Sequence, residues 1–196
     1  MKETLAVLGG YLLGSMPFGY WVPRLVRGED VRQKGSGNVG ASNVFRVYGR
    51  SLGIPVALLD IAKGFVAAAL GLWIGGPLVG VLAAGAAMVG HAYPVFLRFQ
   101  KGGKMVATAG GATLALAPLA AFICIAVWLM VFVVTRYASL ASLLTAAALV
   151  VCVFVFDYPW PIAVFGAAGA AAVVVLHRQN IRRLLGGTEH RFELGR

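Results

Sequence analysis

Long apolar runs, each closed by a short polar, glycine-rich or proline-rich break, leave this chain few ways to fold. They cover about Thr4–Val26, Gly53–Ile74, Leu78–Leu97, Met105–Thr135, Ala138–Phe156 and Ile162–Leu176. A helix needs about 20 apolar residues to cross the hydrocarbon of a bilayer, and most of these runs reach or approach that length. Only 12% of the residues are charged, where a soluble domain has about a quarter. The 60% hydrophobic content excludes disorder as well. The 26 glycines follow no three-residue period; in a membrane bundle small residues let helices approach closely. The expectation is an all-α integral membrane protein, a single polytopic domain over residues 1–196. Cys124 and Cys152 each fall inside an apolar run and read as packing residues.

The run from Met105 to Thr135 decides the topology. As one helix it would be about 46 Å long, against about 30 Å of hydrocarbon. Pro118 divides it. If the run crosses twice, with the N-terminus outside, then all but Lys2 and Lys63 of the 17 Lys and Arg residues fall on one side. A single crossing would put Arg136 and the basic tail outside and leave the charges nearly even. Lys and Arg concentrate in cytoplasmic loops. The reading is therefore seven transmembrane helices, N-terminus outside and C-terminus cytoplasmic. Loops 27–52, 98–104 and 177–190 then share the cytoplasmic face.

The net charge of +10 sits on a chain too apolar for an ordinary nucleic-acid binder, so no nucleic-acid partner is expected. Phosphate and membrane lipids are the better match. The first polar loop reads Gly35-Ser36-Gly37-Asn38-Val39-Gly40-Ala41-Ser42-Asn43, with Arg46 one turn on. Glycines let successive N–H groups turn inward as an anion nest, and Arg46 can chelate phosphate. The second loop ends in Lys101-Gly102-Gly103-Lys104. It fails the nucleotide P-loop pattern: Arg98 stands where the first Gly belongs, and Met105 where Ser or Thr should follow the lysine. Lys104 can still reach a phosphate as a point charge. The third segment is His177-Arg178-Gln179-Asn180-Ile181-Arg182-Arg183, then Gly186-Gly187 and Glu189. His177 and Asn180 share a helix face; the arginines read as membrane-end anchors.

Ser139, Ser142 and Thr145 recur every three residues and either line a site or bond between helices. Asp60 and Lys63, three apart within an apolar run, read as a structural pair. His91 reads equally as a packing group. The histidines are too scattered for a metal site.

Taken in order, these segments resemble one family: the bacterial acyl-phosphate:glycerol-3-phosphate acyltransferases. The resemblance runs from Leu13-Gly-Ser-Met-Pro-Phe-Gly19 through GSGNVGASNVFR, LLDIAKG, GHAYPVFLRFQKGGK and RYASLAS to HRQNIRRLLGGTEHRF. The family is a seven-span membrane enzyme with its site at the cytoplasmic face. It usually has Gly where Met105 stands, and often Thr where Ser42 stands. The implied reaction moves a fatty acyl group from acyl phosphate to the 1-hydroxyl of sn-glycerol 3-phosphate, giving lysophosphatidic acid and phosphate. No cofactor, no metal and no covalent acyl-enzyme are expected, since the donor is already activated.

The resemblance assigns Ser36, Gly37, Asn38, Gly40, Ser42 and Asn43 to acyl phosphate. It assigns Arg46, Gly102, Gly103, Lys104, Ser142, His177 and Asn180 to glycerol 3-phosphate. Of these, His177, Asn180, Lys104 and Arg46 are the catalytic candidates; Glu189, Asp60 and Lys63 are structural. His177 either acts as general base or positions substrate while the donor's phosphate takes the proton; the second is preferred. Other glycerol-phosphate acyltransferases use a His-x4-Asp pair. Here the residues five after His91, His177 and His190 are Phe96, Arg182 and Gly195, so thioester donors are not expected. The rival reading is a transporter of a small phosphorylated solute. Against it, the motifs cluster on one face and no paired, interrupted half-helices stand at mid-membrane.

Overall fold

A computed structural model describes residues 1–192; Gly195 lies outside the described residues. Among these, every regular element is helical: α1 (Lys2–Gly14), α2 (Phe18–Arg27), α3 (Ala41–Tyr48), α4 (Arg50–Ala92), α5 (Val106–Leu116), α6 (Pro118–Thr135), α7 (Ala138–Val155), α8 (Trp160–Leu176) and α9 (Arg178–Leu185), with short 3-10 turns at Val31–Gln33 and Val95–Leu97. Four helical stretches are long and apolar enough to cross a membrane, or five if α8 and α9, bent by 61°, count as one. The chain forms two compact units, Met1–Leu116 and Ala117–Arg196.

In the first unit the first apolar run is two helices. Proline at position 17 has no N–H to continue the ladder, so α1 ends at Gly14 and α2 restarts at Phe18. Helix α4 folds back on itself. Gly76 takes φ +71°, and Gly75 leaves the helical region too. A Cβ on Gly71 would meet the Val79 carbonyl at 2.7 Å and Ala83 at 2.9 Å, which only antiparallel limbs allow. Glycines set the remaining approaches: Gly10 lies on Ala83, Gly14 on Ala87, and Gly64 on Thr108. Helix α5 has 11 residues, about 16 Å. That is about half the hydrocarbon thickness, so its length alone does not make it a crossing. The third apolar run ends in helix at Ala92, not Leu97, because Pro94 diverts it into the 3-10 turn.

The second unit begins where Ala117 leaves the helical region, with Pro118 as the first residue of α6. Arg136 at φ +62° ends α6, and Asp157 at φ +48° turns the chain between α7 and α8. Leu119, Phe122, Leu129, Met130 and Val133 of α6 are exposed, an apolar surface suited to lipid. Cys124 and Cys152 are buried free thiols.

Candidate active site

In the first unit the polar stretch after α2 is folded around one amide. Asn43, on α3, is 2% exposed. Its Oδ1 accepts the Ser36 N–H at 2.9 Å; its Nδ2 donates to the carbonyls of Asn38 at 2.9 Å and Lys34 at 3.1 Å. Gly35 makes room for this amide: it takes φ +57°, and a Cβ there would collide with Asn43 Oδ1. Beneath the loop lies a small core of Val31, Val39, Val44, Leu52, Val56 and Leu97. At its edge Asp30 grips the Arg32 guanidinium with both oxygens, and this hydrogen bonding holds the Asp30 carboxyl below the usual carboxylate range. Arg32 Nη1 continues to Gln100 Oε1 at 2.9 Å.

Asn38 joins the first loop to the second. Its Oδ1 accepts the Gly40 N–H at 2.8 Å, and its Nδ2 donates to the Gly102 carbonyl at 3.0 Å. The Gly102 N–H donates to the Ala92 carbonyl at 2.7 Å and the Gly103 N–H to the His91 carbonyl at 3.0 Å. Both glycine N–H groups thus close the end of α4, satisfying carbonyls that the helix leaves open. Their lack of a side chain matters for closeness: a Cβ on Gly103 would strike the His91 ring. Lys104 is half-buried, and Met105 holds a left-handed backbone at φ +67° with its side chain 7% exposed. Ser36 and Ser42 are exposed, and Arg46 is half-buried. Asp60, Lys63 and His91 come together as a buried cluster on α4, with Lys63 Nζ 2.8 Å from Asp60 Oδ1.

In the second unit a carboxylate is the hub. Glu189 Oε1 accepts from Asn180 Nδ2 at 2.6 Å and from Ser139 Oγ at 2.8 Å; Oε2 accepts from Arg183 Nε at 2.7 Å. The segment after α9 thereby ties α9 to the first turn of α7. Burial by itself raises the Glu189 carboxyl, but the hydrogen bonds from Asn180, Arg183 and Ser139 outweigh it and hold the group below the usual range. Arg183 is therefore a partner of Glu189. The signal was in the sequence: Asn180 and Arg183 are three apart, on one face.

His177, 3% exposed, is fixed by its Nδ1, 2.8 Å from the Val173 carbonyl. A carbonyl only accepts, so Nδ1 carries a proton. Ser142 Oγ donates to the Ala138 carbonyl at 2.7 Å and accepts from Trp128 Nε1 at 3.3 Å. Trp128 stacks on Phe132 with centroids 4.9 Å apart, and Phe132 meets the Phe192 ring edge-on at 5.3 Å. The Phe192 N–H donates to the Arg136 carbonyl at 2.9 Å. No spacing or motif in the sequence signals this fold-back of the tail.

Known proteins resemble this chain over nearly its whole length. The family model described as glycerol-3-phosphate acyltransferase matches residues 4–187. A glycerol-3-phosphate acyltransferase 2 of Moorella thermoacetica is 48% identical over 187 residues, covering 95% of this chain and 96% of that one. One from Synechococcus sp. (strain JA-3-3Ab) is 47% identical over 191 residues, covering 97% and 94%. Crystal structures of PlsY, an integral membrane glycerol 3-phosphate acyltransferase, are similar in fold. The glycerol 3-phosphate form gives a TM-score of 0.94 at 41% identity, covering 98% of this chain and 96% of that one. The lysophosphatidic acid form gives 0.90 at 40%, with the same coverage.

Proposed function

This chain belongs to the glycerol-3-phosphate acyltransferase family, and from that premise we propose that it acylates the 1-hydroxyl of sn-glycerol 3-phosphate with acyl phosphate as donor. It is a multi-pass membrane acyltransferase. One observation carries the reaction: the solved relative has a glycerol 3-phosphate form and a lysophosphatidic acid form, and these two molecules differ by one acyl group. The donor assignment rests on the two glycine-rich basic loops and on the lack of a His-x4-Asp pair. The charge pattern along the sequence supports seven crossings, with the N-terminus outside and loops 27–52, 98–104 and 177–190 at the cytoplasmic face of the inner membrane.

In this mechanism the 1-hydroxyl oxygen attacks the acyl carbonyl carbon. The carbon–oxygen bond to phosphate breaks, and phosphate leaves carrying the hydroxyl proton. No acyl-enzyme forms. Holding the hydroxyl beside the carbonyl supplies much of the advantage, and donors aimed at the developing oxyanion supply more. Ser36, Ser42 and the Ala41 and Ser42 N–H groups that open α3 serve the acyl phosphate; Gly37, Asn38, Gly40 and Asn43 keep their loop in shape. Lys104 and Arg46 supply positive charge to glycerol 3-phosphate, with Gly102 and Gly103 shaping the turn that presents Lys104. Ser142, His177 and Asn180 orient the acceptor. Glu189 is taken up by Asn180, Arg183 and Ser139, which leaves it poorly placed to back His177 as a base.

The test is direct. Purified protein is given palmitoyl phosphate and glycerol 3-phosphate, and phosphate release is measured with lysophosphatidic acid. Product from palmitoyl phosphate and none from palmitoyl-CoA is expected; product from the CoA ester would overturn the donor assignment. His177→Ala is expected to lower kcat/KM about 100-fold, a loss of about 2.7 kcal/mol. A slow His177→Gln enzyme should keep the wild-type shape of its pH profile; loss of a limb would make His177 the base.

A further inference from the structure

Asp60, Lys63 and His91 form a charged cluster that no step of this reaction uses. Their side chains are nearly closed off from solvent, 2%, 3% and 6% exposed. Burying charge within membrane-spanning helices is expensive, and packing alone does not need it. The cluster is tied at both ends. Lys63 Nζ reaches the Met16 carbonyl at 2.9 Å, at the break between α1 and α2, as well as Asp60 Oδ1. His91 Nδ1 stands 3.5 Å from that same Asp60 oxygen. The other side of the His91 ring lies against Gly103, where a Cβ would meet Nε2, Cε1 and Cδ2. The His91 carbonyl also accepts the Gly103 N–H at 3.0 Å. His91 thus touches the glycine turn twice, through its ring and through its backbone, one residue before Lys104. The turn passes the constraint on, since the Gly102 carbonyl accepts the Asn38 amide.

We propose that His91, aimed by Asp60 and Lys63, is a positioning residue for the Gly102–Gly103–Lys104 turn and sets how tightly glycerol 3-phosphate is held. This rests on the assignment of that turn to glycerol 3-phosphate. A buried ring with the Asp60 carboxylate on one side and the Gly103 backbone on the other has little freedom to turn. The ring packs directly on the Gly103 backbone with no room for a methyl between them, so a shift of the ring displaces the turn.

The experiment is steady-state kinetics on the full-length enzyme with palmitoyl phosphate, varying glycerol 3-phosphate. His91→Phe keeps a ring but loses the Nδ1 approach to Asp60. It is expected to raise KM for glycerol 3-phosphate about tenfold, with KM for palmitoyl phosphate changed less than about twofold. A role in packing alone would lower the folded fraction, and hence kcat, and leave KM where it was. Gly103→Ala pushes a methyl into the ring and should raise KM about 30-fold; in His91→Ala/Gly103→Ala the collision is gone, and KM should return to that of His91→Ala. His91→Asn keeps a donor near the Nδ1 position and serves if His91→Phe does not fold, with about a threefold rise expected. An unchanged KM in the folded His91 variants, or single effects that simply multiply in the double variant, would overturn the proposal. Lys104→Met separates the two layers. If it raises KM and the His91 variants do not, only the positioning role falls; if it leaves KM unchanged, the assignment of the turn falls with it.

Discussion

The loop around Asn43 and the network around Glu189 hold their residues by opposite means. In the first, a neutral amide binds main-chain groups: the Ser36 N–H and the carbonyls of Lys34 and Asn38. In the second, a carboxylate binds side chains: Asn180, Ser139 and Arg183. The first is sensitive to shape, because an added methyl at Gly35 or Gly103 has nowhere to go. The second is sensitive to protonation. One protein therefore keeps two sets of candidate substrate groups under different controls, and each can be disturbed separately.

The largest effect should come from Asn43→Ala. It strands two carbonyls and one N–H in the loop, at about 1 kcal/mol each, so a loss of about 3 kcal/mol is expected in denaturant or thermal unfolding. Activity should fall with it at every pH. Retention of wild-type stability would mean that water replaces the amide and that the loop is not shape-controlled.

Glu189→Gln comes next, at about 2 kcal/mol, because it removes the charge that Arg183 and Asn180 share. Its effect should depend on pH. The folded Glu189 carboxyl lies below its unfolded value. Its contribution is therefore complete above about pH 5 and is lost as pH falls below about pH 4. Amide protection in α9, taken relative to the intrinsic exchange rate at each pH, should fall over that acid range in the wild type and should be pH-independent there in Glu189→Gln. If the Asn43 loop loosens over the same range in an Asp30→Asn background, where the Asp30–Arg32 pair no longer titrates, the contrast between the two regions fails.

The smallest effect is at Met105, whose left-handed backbone costs about 1–2 kcal/mol for a residue with a side chain. Glycine there removes that strain but gives up the buried Met side chain, worth about 1.5–3 kcal/mol. Met105→Gly should thus be destabilised by about 1 kcal/mol. Met105→Ala keeps the strain, loses most of the burial and should be the less stable of the two. That inverts the usual advantage of Ala over Gly, and the order of the two melting temperatures checks it.

The breaks between elements were legible where a residue forbids helix. Pro118, the Gly75-Gly76-Pro77 turn and the Asp157–Pro161 turn all interrupt backbone in the structure. Pro17 was equally visible, yet apolar residues on both sides made α1 and α2 read as one run. Hydropathy does not register a missing N–H. Motif spacing marked the three polar segments but not how their atoms are occupied. Asn43 reads as a ligand in sequence because its partners are main-chain groups, which every residue has. The contact between His91 and Gly103 is invisible for another reason: it needs the end of α4 to turn back on itself, and no periodicity encodes that. Met105 was marked as a departure, and only its φ explains why glycine suits the position.

The neutrality of the Asn43 amide has a consequence for ionic strength. Dissolved salt screens the pull of Lys104 and Arg46 on a phosphorylated substrate, but it finds no charge to screen in the bonds that the Asn43 amide makes to the main chain. The rise of KM with salt therefore reports the cations that meet the substrate, separately from the bonds that hold this loop.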